Sequence, residues 1–350
     1  MSVLDLIRPD LQDITPYVPT GDELGTRLHA NELPWSPSSL NEVALNHYPN
    51  ARNQQKLQER MARYFQVNNE EIVLTRGSDD GIDLLMRVFL QAGIDSILQC
   101  PPTFPMYSFY ARLQQAGTLN CPLDSKNNFS LSTKKLMATW QTNCKLIMLC
   151  RPNNPTGNLL DLAEIKQLCD HFTNRAVVVV DEAYIDFAKV PSAVTLLRSF
   201  DNLIVLRTLS KACGLAGLRL GAVIAQPQVI KALRNAMPPY TLSSAVIALA
   251  KDALENKEWF ESNIQRILHA RAELVKQFQQ CNWIETIYPS HANFILVSSP
   301  HAPALTQWLA QHDIAIRYFA HPPLQNMMRI TVGDEMQNKQ LLTVLNSFKP

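Results

Sequence analysis

Four side chains able to do chemistry stand where short apolar runs end. Lys211 follows "NLIVL" in "RTLSKACGLAGLRLG", Asp181 and Tyr184 follow "AVVVV" in "DEAY", and Asn154 follows "LIMLC" in "RPNNPTG". Ligands of open parallel sheets bind beyond the carboxyl ends of the strands, so an amine, a carboxylate, a phenol and an amide are expected along one edge. Singly, each has a plainer reading: Asn154 as part of a turn, Asp181 as a cap, Lys211 as a solvated lysine. Together they match the needs of pyridoxal 5'-phosphate. Its aldehyde needs a lysine amine for a Schiff base, which Lys211 supplies. Its pyridine nitrogen needs a carboxylate partner to stay protonated and act as an electron sink, which Asp181 supplies. Tyr184 and Asn154 are suited to hydrogen-bond the phenolic oxygen of the ring.

A phosphate tail needs donors and positive charge. "LTRGSDDGIDLL" places Gly77 and Ser78 between a strand and a helix start, where backbone N–H groups and the helix dipole bind an anion. Arg219 adds a bidentate cation, and Thr208 and Ser210 add hydroxyls. Asp79 and Asp80 suit the helix dipole but repel a phosphate, so the main-chain N–H groups are expected to face the anion with at least one carboxylate turned away. Phe104, in "PPTFPMY", is placed either to stack on the pyridine face or to pack in the core.

The elements that position these residues follow from periodicity. From Glu71 onward, Val-, Ile- and Leu-rich runs ("EIVLT", "SILQC", "KLIMLC", "AVVVV", "NLIVL", "GAVIA") alternate with helix-period segments. Strands nearly continuous in apolar residues are covered on both faces, so an α/β fold with a mostly parallel sheet flanked by helices is predicted. After "MPPY" the pattern changes to one long helical stretch, roughly 243–280, followed by "ANFILVS", "IAIRYF" and "MMRITVG". These shorter strands among helices predict a smaller α+β domain. The expected organisation is an N-terminal arm over 1–40 that packs on the small domain, a large cofactor-binding domain over 41–240, and a small domain over 241–350.

Bulk properties narrow the field. A formal charge of +1 over 350 residues removes the electrostatic case for a nucleic-acid partner. Seven scattered cysteines without a CxxC pair point to reduced thiols, with no zinc site or disulfide frame expected. Cys213 lies close to Lys211 and is expected to pack as a small hydrophobe. The N-terminal segment has acids and prolines where a signal peptide has a basic start and an apolar core, and no run approaches the ~20 apolar residues of a membrane span. A cytoplasmic protein without membrane or metal partners is expected. No GxGxxG joins the first strand to its helix, which argues against a dinucleotide-binding dehydrogenase.

"PNNPTG", "DEAY" and "SKACGLAGLRLG" resemble the fold type I pyridoxal-phosphate-dependent aminotransferases. "IRPDLQDITPYVP", "RLHANELPWSPS", "HYPNARNQQKLQERMARYF", "GSDDGIDLL" and the closing "AIRYF…MMRITVG" are similar, in order and spacing, to the histidinol-phosphate aminotransferase family. The resemblance implies transfer of the amino group from L-glutamate to imidazole-acetol phosphate, giving 2-oxoglutarate and L-histidinol phosphate in histidine biosynthesis. Lys211, Asp181 and Tyr184 are then the catalytic residues, with Lys211 also the general base. A homodimer with a shared active site is implied, in which Tyr48 reaches the neighbouring subunit's cofactor phosphate. Tyr17, Asn31, Asn154, Arg317 and Arg329 would bind substrate, the two guanidinium groups pairing with either a phosphate or a carboxylate. The chain departs from the family at Leu33 and Ser36, at Ser78 and Asp80 in "GSDD", and at Phe104, where tyrosine is usual. These changes leave the cofactor chemistry intact and bear on substrate detail. The rival readings are an aromatic or broad-specificity aminotransferase, a pyridoxal-phosphate-dependent decarboxylase of a phosphorylated amino acid, and a non-catalytic cofactor-binding module.

Overall fold

The structure, a computed structural model, describes residues 2–11 and 47–349. In chain order the first half runs α1 (Ala51–Phe65), β1 (Ile72–Thr75), α2 (Ser78–Phe89), β2 (Ser96–Gln99), α3 (Met106–Leu113), β3 (Gly117–Asn120), α4 (Thr133–Thr139), β4 (Cys144–Cys150), α5 (Leu162–Phe172) and β5 (Val177–Asp181). It continues with β6 (Leu203–Thr208), β7 (Gly221–Ile224), α6 (Pro227–Asn235), α7 (Ser244–Ala253), α8 (Lys257–Phe278), β8 (Thr286–Ile287), β9 (Phe294–Ser298), α9 (Ala302–Gln311), β10 (Arg317–Phe319), β11 (Met327–Thr331) and α10 (Glu335–Ser347).

The large sheet has the order β1-β7-β6-β5-β4-β2-β3. Its pairs are parallel except at β7, which runs antiparallel to both β1 and β6. Both faces are covered, as the valine run predicts. Val178 and Val180 enter a core shared with α1 and α5 (Leu57, Ile165, Leu168), while Val177 and Val179 enter one shared with α2, α3 and α6 (Leu85, Tyr107, Leu233). Because β6 and β7 pair antiparallel with Thr208 opposite Gly221, the segment between them is a closed loop. That closure returns Arg219 to the edge that Lys211 occupies. The small sheet is antiparallel, in the order β10-β11-β9-β8, and is packed by α8, α9 and α10 through Leu274, Phe278, Leu305, Leu309 and Leu341.

Three details differ from the sequence reading. The helical stretch after residue 243 is two helices, because Asn256 restarts the chain as an N-cap whose side chain accepts from the Trp259 N–H (3.3 Å). β3 is a part-exposed edge strand of sequence "GTLN", and β8 has two residues; neither carries the apolar run that marks the others. The described part of the arm, residues 2–11, packs on the large sheet's helices rather than on the small domain. Val3, Leu6 and Ile7 share the core of Phe89 and Leu233, and the Arg8 N–H donates to the Val88 carbonyl (3.0 Å). α7 also sides with the large sheet through Ile247 and Ala250. α8 reaches both cores, with Phe260 in the larger and Phe278 in the smaller. Among the described residues no helix is long and apolar enough to cross a membrane.

Candidate active site

β4, β5 and β6 end side by side, and the residues that follow them line one cleft of ≈ 470 Å³ together with the start of α2 and the β6–β7 loop. Ser78, Asp79, Phe104, Asn154, Asp181, Tyr184, Thr208, Ser210, Lys211 and Arg219 all contribute to its wall, joined by Cys150 and Ala183. Every cofactor-binding residue predicted from the sequence is therefore brought together except Tyr48. That side chain is half exposed and stacks on Tyr240, with ring centroids 4.4 Å apart. Tyr17 and Asn31 lie outside the described residues.

Asp181 closes a strand whose residues are all buried, and it is itself 2 % exposed. Burial pushes its pKa up to about 6, against the pull of two hydrogen bonds. The Tyr107 hydroxyl donates to Oδ2 (2.8 Å) and the Ala183 N–H to Oδ1 (3.1 Å). Tyr107 belongs to the quoted "PPTFPMY", yet sequence reasoning passed over it. Its position three residues after Phe104, at the start of the helix that follows, was the available signal.

Lys211 is open to the cleft as a residue, while its amine lies 5.6 Å from the Tyr184 ring centroid. Desolvation lowers its pKa, and the charges of Arg329 and Arg219 add to this against Asp79 and Asp181. A lysine so placed reaches its neutral, nucleophilic form more readily than a solvated one. Tyr184 is buried and meets the Phe294 ring edge-on at 5.2 Å. The guanidinium of Arg329 stands 5.3 Å from that same ring, so Phe294 supports both groups. Phe294 is a second residue missed in the sequence, where "ANFILVS" reads only as a strand.

Arg329 donates through Nη1 to Asn154 Oδ1, a contact between the small sheet and the loop after β4. Asn154 also lines the cleft, and its amide nitrogen is not used by this bond. Arg317 is exposed and lies directly across from Arg329 in the β10–β11 register. It does not line the cleft itself, but it is near enough for its charge to add to the desolvation that lowers the Arg329 pKa. The Phe104 loop is tied to the Asn154 loop by Asn153, which accepts from the Thr103 hydroxyl (2.8 Å) and donates to the Pro102 carbonyl (2.8 Å).

At the phosphate end, the N-terminus of α2 has no side-chain cap, and Gly77 before it adopts φ 85°. A Cβ on Gly77 would stand 2.8 Å from Arg219 Nη2, so the guanidinium lies against bare backbone. Asp80 is turned away from the cleft: it binds the Arg76 guanidinium (2.7 Å) and accepts from the Arg76 N–H (2.9 Å). Asp79 lines the cleft, 3.6 Å from Arg219. Thr208 Oγ1 accepts from the Ser210 N–H (3.1 Å) and lies 2.9 Å from Ser210 Oγ, which presents two hydroxyls together. Cys213 is buried with its sulfur 3.2 Å from the Tyr64 hydroxyl, outside the cleft wall.

Behind the site, strand ends are clasped by buried charges. Arg151 donates to Glu182 (2.7 Å) and to the Leu160 carbonyl (2.7 Å), while Arg207 pairs with Asp186 (2.8 Å) and stands 3.9 Å from Glu182.

A helix N-terminus with an arginine and two hydroxyls, a desolvated amine, a buried carboxylate and a phenol–amide pair form the donor set that a phosphorylated pyridine aldehyde requires. A family model described as aminotransferase class I and II matches residues 30–345. Histidinol-phosphate aminotransferase 1 of Legionella pneumophila (strain Lens) is 51% identical over 349 residues, which span 99% of this chain and 96% of that one. The histidinol-phosphate aminotransferase of Francisella philomiragia is 38% identical over 354 residues, 98% of this chain and 95% of that one. Among solved structures, histidinol-phosphate aminotransferase from Sinorhizobium meliloti in complex with pyridoxal-5'-phosphate aligns with a TM-score of 0.79 at 22% identity, over 87% of this chain and 84% of that one.

Proposed function

Since the chain belongs to the aminotransferase class I and II family, and within it to the histidinol-phosphate aminotransferases, we propose that it transfers the amino group of L-glutamate to imidazole-acetol phosphate. The products are 2-oxoglutarate and L-histidinol phosphate, and the step belongs to histidine biosynthesis in the cytoplasm. The observation that carries this reading is the meeting of Arg329 with Asn154 above the Lys211–Asp181 cleft. It sets a guanidinium for the substrate's anionic group beside the amine and carboxylate that serve the cofactor.

Pyridoxal 5'-phosphate, when bound, supplies an electron sink that lets the hydrogen on an amino-acid carbon leave as a proton. Asp181 would keep a proton on the ring nitrogen, and Tyr184 with the Asn154 amide would hydrogen-bond the phenolic oxygen. Phe104 would cover one ring face. The main-chain N–H groups at Ser78 and Asp79, the hydroxyls of Ser78, Thr208 and Ser210, and Arg219 would hold the phosphate. Lys211 would anchor the cofactor and, as a general base, move the proton from the amino-acid carbon. Its lowered pKa suits that work near neutral pH.

Arg329, with Arg317 across the strand, binds the phosphate of one substrate and a carboxylate of the other, a task suited to planar guanidinium groups. Tyr17 and Asn31, outside the described residues, are also assigned to substrate binding. The proposal includes a homodimer in which Tyr48 serves the neighbouring subunit's cofactor phosphate. Its exposure away from its own subunit's cleft supports that reading. It also includes a large cofactor-binding unit over 41–240 and a small unit over 241–350, with α7 and the start of α8 packed against the larger core.

The test is a half-reaction. Cofactor-loaded protein mixed with histidinol phosphate loses the visible absorption of the bound cofactor, faster than with histidine, phenylalanine or tyrosine. Equal or faster loss with the aromatic amino acids turns the reading to a broad-specificity aminotransferase. Release of carbon dioxide from a phosphorylated amino acid assigns a decarboxylase.

A further inference from the structure

Asp181 is held by two donors, one on each oxygen, and only one of them is a side chain. Tyr107 projects from α3 and has no exposed surface, and its ring meets Phe104 edge-on at 5.7 Å and 81°. Nothing in the mechanism above uses it. Its hydroxyl lies 2.8 Å from Asp181 Oδ2 in a site closed to solvent, where an unmade hydrogen bond has no water to replace it. Burial and the neighbouring Asp181 charge both raise the phenol's pKa, so it stays a donor. With Oδ1 occupied by the Ala183 N–H, the rotation of the carboxylate is fixed at both ends. A carboxylate free to turn would spend part of its time aimed away from the ring nitrogen it must pair with.

We propose that Tyr107 is a positioning residue: it fixes Asp181 as an ionised acceptor aimed into the cleft, and so sets the site's preference for a cofactor ring that carries a basic nitrogen. Phe104 and Tyr107, one turn apart on the same chain segment, then divide two tasks, covering the ring and orienting its counter-charge. This inference rests on the proposed pairing of Asp181 with pyridoxal 5'-phosphate.

The test compares the affinity of cofactor-free wild-type and Tyr107→Phe protein for pyridoxal 5'-phosphate and for its 1-deaza analogue, in which C–H replaces the ring nitrogen. Wild type is expected to prefer the natural cofactor. Tyr107→Phe is expected to lose about tenfold in affinity for it, the scale of one hydrogen bond to a charged group, with the deaza analogue changed by less than about twofold. An equal loss for both ligands, or for neither, overturns the positioning role while leaving the Asp181 assignment standing. A wild type without preference removes the Asp181 pairing itself. Should the variant fail to fold, carbon-13 NMR of aspartate-labelled wild type decides: the Asp181 carboxyl signal, identified by its loss in Asp181→Asn, is expected to be that of an ionised group at neutral pH, and a protonated carboxyl overturns the proposal.

Discussion

Replacing Gly221 by alanine tests whether the phosphate end of the cleft is built on bare backbone. Gly221 opens β7 and pairs with Thr75 on one side and Thr208 on the other. A Cβ there would lie 2.7 Å from the Gly77 carbonyl carbon, 2.8 Å from the Ser78 nitrogen and 2.9 Å from the Arg207 oxygen. All three are main-chain atoms in a paired sheet or its adjoining turn, so no flexible side chain can yield. Ordinary contact begins at 3.4 Å, which leaves about 0.7 Å for the Gly77–Ser78 peptide to move. Overpacking of this kind costs ~1–3 kcal/mol of stability. The same displacement carries the Ser78 N–H beyond the ~2.7–3.2 Å at which it bonds an anion. Losing one charge-assisted bond, ~1.5–3 kcal/mol, corresponds to roughly ten- to a hundredfold in cofactor affinity. Urea unfolding of the cofactor-free protein and a titration with pyridoxal 5'-phosphate measure the two effects. Gly217→Ala is the control, because a Cβ there meets nothing within 4 Å, and both quantities should match wild type. A Gly221→Ala protein with unchanged unfolding midpoint and unchanged affinity would refute the reasoning.

Arg151→Met leaves Glu182 buried without its closest cation and should destabilise the protein by about 3–5 kcal/mol in urea unfolding; a loss below about 1 kcal/mol would show that the pair is dispensable. Asp181 has a folded-state pKa of about 6, above the ~3.9 of an unfolded aspartate. On its account the cofactor-free protein loses stability as pH rises from about 4 through 6, by on the order of 3 kcal/mol. Asp181→Asn should remove that slope, and identical slopes in variant and wild type would contradict it. Arg329→Lys keeps the charge but loses the planar fork that reaches both Asn154 and the substrate site. Steady-state kinetics should show the KM for glutamate raised at least about tenfold, and an unaltered KM would remove Arg329 from the substrate pocket. Lys211→Ala should fold and bind cofactor without turnover, and residual wild-type activity would exclude its assigned role.

The cofactor side of the cleft was legible because chain direction and burial conspire there. Valine runs mark strands covered on both faces, and a parallel sheet delivers the residue after each run to one edge, so Asp181, Lys211 and Asn154 could be placed together without distances. The loop from Lys211 to Arg219 was legible only in part. Its small residues were visible, but the antiparallel reversal at β7 that returns Arg219 to the edge was not. Tyr107 was hidden because an aromatic on an apolar helix face has the same pattern whether it packs or donates. The Arg329–Asn154 contact joins residues far apart in the chain, beyond any local periodicity. Arg151 and Glu182 were equally silent, since a charged residue next to a strand end reads as solvent-facing until its partner is known. The break before Asn256 was available as a helix-capping residue within a pattern that otherwise continues.

α8 gives the molecule a mechanical ratio. Its 22 residues make a rod roughly 33 Å long, embedded near one end in the larger core at Phe260 and at the other in the smaller core at Phe278. A tilt of only about 6° about the first anchor sweeps the far end, about 27 Å away, through roughly 3 Å, the length of a hydrogen bond. A helix docked at both ends converts a small rotation into the making or breaking of single contacts, so the Arg329–Asn154 bond and the bond from the His291 N–H to the Gly157 carbonyl (2.8 Å) are places where the angle between the two sheets would be read out.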